Sequence, residues 1–179
     1  MSRIGKIPVT IPKGAKVEVG GGRINVEGPK GKLNLTLPEG ITAQVAQEKV
    51  AISRQNDIKQ SRANHGTVRA RLVSMLEGVT TGHKKELEIQ GLGFRGQAQG
   101  QKIAFILGFS HPVEYHVHKD VKVSMPTQTS IILESSDAML LGQTAAQIRA
   151  LKPVEPYKGK GIRYVGEKVR RKQGKSVTK

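Results

Sequence analysis

Twice along this chain, a series of short runs with apolar residues at every second position gives way to one run with apolar residues three and four apart. The first period belongs to strands with one buried face, the second to an amphipathic helix. In the first half, Val17 and Val19, Ile24 and Val26, Leu33, Leu35 and Leu37, and Val50 and Ile52 keep the period of two. Val68, Leu72, Leu76 and Val79, with Met75 in the same stripe, then predict a helix over about residues 60–78, closed by Gly78. Between the second and third runs, Gly28-Pro29-Lys30-Gly31-Lys32 reads as a hairpin tip carrying two lysines. Pro29 presets φ for a turn and the glycines tolerate unusual backbone angles.

The second half repeats the order. Leu87 and Ile89 alternate, a Gly-rich turn follows, and then come Ile103–Leu107, the Val113, Tyr115, Val117 run, the Val121, Val123, Met125 run, and Ile131–Leu133. Ser135-Ser136-Asp137 offers short side-chain oxygens to the free N–H groups of a first helical turn. Leu141, Ala145, Ile148 and Leu151 make the second stripe, which Pro153 ends. Gly66-Thr67-Val68-Arg69-Ala70-Arg71-Leu72 can be laid over Gly142-Gln143-Thr144-Ala145-Ala146-Gln147-Ile148 with an offset of 76, against 70 between the Leu33 and Ile103 runs. That alignment makes the second copy six residues longer between strand and helix. The expected fold class is α+β: two tandem similar domains, 1–82 and 83–152, each an antiparallel sheet packed with one α-helix. They join near Thr80-Thr81-Gly82, and residues 153–179 follow as a basic C-terminal extension.

Charge narrows the function. The formal net charge is +16. Residues 1–82 hold 13 basic and 6 acidic side chains, 83–151 hold 7 and 6, and 152–179 hold 10 and 2. Solubility needs only a polar tail, whereas a nearly single-signed one is the electrostatic footprint of phosphate binding. No amphipathic helix with large apolar residues accompanies it, so nothing is expected to insert into a membrane surface. The apolar run Ile103–Leu107 is far short of the roughly 20 residues that span a bilayer. The Met1–Lys6 start has charge but no apolar core of a secretory signal. Cysteine is absent, which excludes disulfides, thiol nucleophiles and cysteine-held zinc or iron–sulfur centres. A soluble protein of a reducing compartment is expected. Six aromatics, none before Phe94, require an aliphatic N-terminal core and limit base stacking.

Chemistry-bearing patterns mostly fail. Gly91-Leu92-Gly93-Phe94-Arg95-Gly96 spells the glycine spacing of a dinucleotide site, but no helical stripe follows it and no βαβ order surrounds it. It reads as a Gly-rich turn or bulge where backbone approaches backbone or ligand. His116 and His118 share a face if on a strand, yet no convincing third ligand is near, and they read as surface histidines with His111. Ser110-His111 are adjacent on an extended chain and point apart. No enzyme activity, cofactor, metal or small-molecule substrate is expected. One constellation remains: Tyr157-Lys158-Gly159-Lys160-Gly161-Ile162-Arg163-Tyr164, followed by Lys168, Arg170, Arg171, Lys172 and Lys175. Alternating Lys and Gly brings cations and bare backbone N–H groups to phosphates together, and tyrosines can stack or bond to sugars. RNA contact is the expectation.

Five motifs in order resemble one family. Ser2-Arg3-Ile4-Gly5-Lys6-Ile7-Pro8, Glu27-Gly28-Pro29-Lys30-Gly31, His65-Gly66-Thr67-Val68-Arg69-Ala70, Leu107-Gly108-Phe109-Ser110-His111-Pro112 and Pro153-Val154-Glu155-Pro156-Tyr157-Lys158-Gly159-Lys160-Gly161-Ile162 look like the bacterial-type large-subunit ribosomal protein six family. The resemblance runs from end to end. It implies two tandem copies of one α+β fold and a non-enzymatic, cytoplasmic protein of the large ribosomal subunit. It also implies binding to 23S-type ribosomal RNA near the stalk base, close to the sarcin–ricin loop, with neighbouring ribosomal proteins as partners and translation factors docking nearby. The RNA contacts it implies fall on the Tyr157–Ile162 motif, the basic tail after it, and Gly91, Gly93, Phe94 and Arg95 of the glycine turn.

Overall fold

The computed structural model describes residues 4–174. Two compact units divide the chain: the residues up to His83 with Ser136–Ala138, and Lys84–Ser135 with the residues from Met139 on. Among the described residues no helix is long and apolar enough to cross a membrane.

The first unit carries β1 (Val9–Thr10), β2 (Lys16–Gly20), β3 (Arg23–Gly28), β4 (Gly31–Thr36), β5 (Ile41–Ala46), β6 (Lys49–Arg54) and α1 (Lys59–Thr80). The strands form two antiparallel sheets, ordered β2-β3-β4 and β1-β6-β5. Alternation marks strands without saying which of them pair, so the one expected sheet resolves into two. Ile24, Val26 and Leu35 of the first sheet, Val9, Val50 and Ile52 of the second, and Val68, Leu72 and Leu76 of α1 close one aliphatic core. His65 of α1 is buried too; its Nε2 donates to the Ile52 carbonyl at 2.9 Å and its Nδ1 lies 3.3 Å from the Arg54 guanidinium.

The end of α1 differs from the expectation. Gly78 is a buried interior residue of the helix, which runs to Thr80. Termination falls to Gly82, which sits at φ +81, a left-handed conformation that costs a side chain strain. The N–H groups of Thr81 and Gly82 both return to the Glu77 carbonyl, at 2.9 and 3.1 Å. The hairpin tip completes the cap: the Lys30 N–H donates to the Val79 carbonyl at 2.9 Å and the Lys30 ammonium to the Thr81 carbonyl. A cation belongs there, because helix carbonyls leave partial negative charge at a C-terminus. The other tip lysine, Lys32, pairs with Glu27 at 2.7 Å.

The second unit carries β7 (His83–Gln90), β8 (Arg95–Gln99), β9 (Lys102–Ile106), β10 (Val113–His116), β11 (Lys122–Thr127), β12 (Ser130–Ser135), α2 (Ala138–Leu151) and β13 (Gly161–Tyr164). Its sheets are ordered β10-β9-β8 and β11-β12-β7-β13. Meander, second sheet and helix recur in the order of the first unit, so the α+β duplication holds. The strand alignment does not. The Val26–Leu33 pair of β3 and β4 corresponds to the Phe105–Val113 pair of β9 and β10. Ile24 therefore matches Ile103, 79 positions on, and the second copy is three residues shorter before its helix, not six longer. Runs of period two look alike; only their partners tell them apart.

The extension read from Pro153 onward also starts inside the fold. β13 pairs antiparallel with β7, Gly161 opposite Gln90, Ile162 opposite Ile89 and Tyr164 opposite Leu87. Ile162 is fully buried in the core with Leu87, Ile103, Phe105, Leu133 and Ile148.

If Lys30 caps α1, Lys30→Ala should lower stability by about 0.3–1 kcal/mol, read as a lower urea midpoint. Lys32→Ala breaks only an exposed pair and should leave the midpoint nearly unchanged. Equal effects of the two changes would sink the cap.

Candidate nucleic-acid interface

β13 places the basic motif. Its register carries the chain off the sheet at Gly161 beside Gln90, so the turn beginning at Gly91 and the loop ending at Lys160 leave the same end of neighbouring strands. The loop between α2 and β13 is tied to itself. The Ile162 N–H donates to the Lys152 carbonyl at 2.9 Å, Glu155 N–H to Lys160 at 2.8 Å, and Gly159 N–H to Glu155 at 3.0 Å. The later tail folds back on it: the Lys172 N–H donates to the Pro156 carbonyl at 2.8 Å. The Arg171 guanidinium would lie 3.0 Å from a Cβ placed on Gly159, and Gly159 takes φ +73. The backbone angle is what favours glycine at 159, since the exposed arginine could move aside.

Most sequence-predicted residues meet here. Tyr157 and Lys158 are exposed, Lys160 is half-buried, and Lys168, Arg170, Arg171 and Lys172 are exposed. Among the described residues no carboxylate pairs with any of these six cations. Gly91, Gly93, Phe94 and Arg95 form the adjoining turn; Gly93 takes φ +76 with open space around it, and Arg95 is exposed. The turn leads into β8, not into a helix, so no helix N-terminus faces it as a pyrophosphate site would require.

Two predicted residues are turned to other work. The Arg163 guanidinium is bonded to Glu88 across β13 and β7, and it is largely buried. Tyr164 packs on the core beneath the Arg149 guanidinium, 5.9 Å from its ring centre. Lys175 lies outside the described residues. Sequence reasoning passed over two groups. Lys152, directly after α2, holds its ammonium 4.3 Å from the Phe109 ring centre and 5.9 Å from that of Phe94. Glu167 accepts two bonds from Arg149 and one from the Tyr164 N–H at 3.1 Å, clasping the start of the tail to α2. Their only sequence signal was position: Lys152 before Pro153, and Glu167 as one of two acids among ten tail cations.

His118 Nδ1 lies 3.5 Å from Asp120, and among the described residues no three acidic or histidine side chains gather as a metal site. What the surface offers is exposed cations on a backbone whose named N–H groups are already bonded within the loop, which suits phosphate rather than a reacting substrate.

The hydrogen bond from Arg149 holds the Glu167 carboxyl below its ordinary value, against the opposing effect of burial. A carboxyl depressed on folding contributes stability above its unfolded value and loses it as pH falls through the lowered one. The Tyr164 amide resonance should therefore hold steady down to the ordinary glutamate range and shift only below it. Glu167→Gln should abolish that titration. A midpoint at or above the ordinary glutamate value would remove the clasp.

The model of the ribosomal protein L6 family matches residues 11–82 and again 90–165, one match in each half. Three relatives are named large ribosomal subunit protein uL6. That of Syntrophomonas wolfei is 47% identical over 98% of both chains. That of Synechocystis is 45% identical over the whole of both, and that of Lactococcus lactis 48% over 98% of this chain and 99% of its own.

Proposed function

Because this chain belongs to the ribosomal protein L6 family, we propose that it is a structural constituent of the large ribosomal subunit that binds 23S-type ribosomal RNA through the Tyr157–Lys172 surface and braces the folded RNA. It acts without catalysis, in the cytoplasm, near the stalk base and the factor-binding region, beside neighbouring large-subunit proteins. Translation factors dock nearby.

The observation that carries this reading is the group of six cations, Lys158, Lys160, Lys168, Arg170, Arg171 and Lys172, with no carboxylate partner among the described residues, on a loop that leads into a strand of the core and a tail that bonds back to that loop at Lys172. Ten basic side chains would repel one another in a free tail; here several are held at set positions, so ordering entropy is spent in folding and not in binding. Displaced counterions then supply the affinity. Few aromatics favour recognition of helical RNA by shape and phosphate over base reading. Tyr157, exposed among the cations, reaches sugars; Gly91, Gly93, Phe94 and Arg95 add the second loop. Arg163 and Tyr164 contribute by holding β13 in place.

Binding to 23S-type RNA transcribed in vitro tests it. Each phosphate contact contributes about 0.9 to the slope of log affinity against log salt on a duplex. Alanine at Lys158, Lys160, Arg171 and Lys172 together should flatten that slope by about 3 to 4 units. Removing residues 168–179 should also flatten it while far-UV dichroism keeps its shape, since β13 remains. Cutting from residue 152 should instead unfold the second unit. An unchanged slope in a folded quadruple variant, or failure to co-sediment with large subunits in high salt, would sink the proposal.

A further inference from the structure

Within the RNA site proposed above, and resting on that reading, we infer that Phe109 is the seat of one unstacked nucleobase. The chain has three phenylalanines, and they have separate fates. Phe105 is fully buried in the core. Phe94 is half-buried, its ring against the backbone of Gly91 and Gly108. Phe109 is displayed, 43% exposed, in the loop that follows β9. Gly108, at φ +73, turns it outward.

The surroundings of Phe109 suit a base. The Lys152 ammonium stands 4.3 Å from the ring centre, and the His111 ring lies 24° from parallel at 6.4 Å. A cation on a phenyl ring draws on its π density and leaves the ring better matched to an electron-rich purine face. Lys152 also reaches Phe94, so one ammonium joins the 91–94 and 108–111 loops. Leu92, at the tip of the first loop, is 93% exposed and adds apolar surface. Across the β7 and β13 strand ends from the 91–94 loop lies the 157–160 loop, whose Lys158 and Lys160 have no carboxylate partner among the described residues. A phosphate has those to choose from, whereas an exposed, cation-backed ring answers to a planar apolar partner. Bases turned out of an RNA helix are the usual target of aromatic stacking.

The experiment uses the full chain and in vitro transcribed 23S-type RNA. The protein has no tryptophan, so Phe109→Trp introduces a single reporter. Its fluorescence should be quenched as RNA saturates the protein, with affinity at least that of the parent. Phe109→Ala should bind about tenfold more weakly with an unchanged salt slope, because stacking releases no counterions. Parental affinity in Phe109→Ala, or an unquenched tryptophan at saturation, overturns the base seat. So does a Phe109→Ala protein that keeps its affinity for naked RNA yet is lost from assembled subunits, which would put another protein on the ring. The quadruple cation variant separates the two readings. If its slope is unchanged while Phe109→Ala is weakened, the base seat stands and the phosphate surface falls.

Discussion

The pairing of β13 with β7 is the constraint on which the rest of the second unit depends. Four residues, Gly161–Tyr164, cross beside Leu87–Gln90, and Ile162 closes the core. Burying one isoleucine is worth about 1.5–3 kcal/mol, a large share of the stability of a small domain. The gain is spent on position. With Ile162 bonding back to Lys152 and Lys172 bonding to Pro156, the backbone that carries the lysines between them is held in place.

Counting charge overstates the binding surface. Of the cations in the last part of the chain, Arg163 answers Glu88 and Lys152 lies on two rings. In the first unit Lys30 caps α1, and Lys16, Lys32 and Arg54 answer Glu18, Glu27 and Asp57. Removing these from the tally leaves the 158–172 knuckle more distinct, not less. Exposed pairs such as Lys16 with Glu18 add little stability; their consequence is to neutralise those cations locally, whereas among the described residues no carboxylate pairs with the cations of 158–172.

The two units share a plan and differ in its ends. Both join a three-stranded meander, a second sheet and one helix. In the first, α1 is closed by Gly82 and by the Lys30 hairpin tip. In the second, α2 stops at Leu151, before Pro153, and the chain runs on through the cationic loop into β13. A fourth strand in the second sheet is what the extra chain length supplies.

Much of this was legible from residue order alone. Period two and period 3.6 do not depend on partners, so most of the strands, both helices, the duplication and the α+β class followed from where Val, Ile and Leu recur, while Val9–Thr10, Ile41–Ala46, Arg95–Gln99 and Gly161–Tyr164 did not stand out as strands. The Lys-Gly alternation of 157–161 likewise marked a cluster of cations, but its glycines are buried and the Gly159 N–H is bonded to the Glu155 carbonyl, so the bare backbone expected there is taken up by the fold. Three things were decided only in three dimensions. Gly78 and Gly82 are equal as stop signals until a hairpin tip brings donors to the Val79 and Thr81 carbonyls, beyond the first and before the second. The 33 and 103 runs match in pattern, but hydrogen-bonded neighbours assign Ile103 to Ile24. Arg163 and Lys160 are alike in sequence, yet one meets Glu88, 75 residues away, and the other meets none. Local order carries the shape of each element because its forces act within a few residues. Which charge stays free is settled by long-range contacts, and those exist only once the chain has folded.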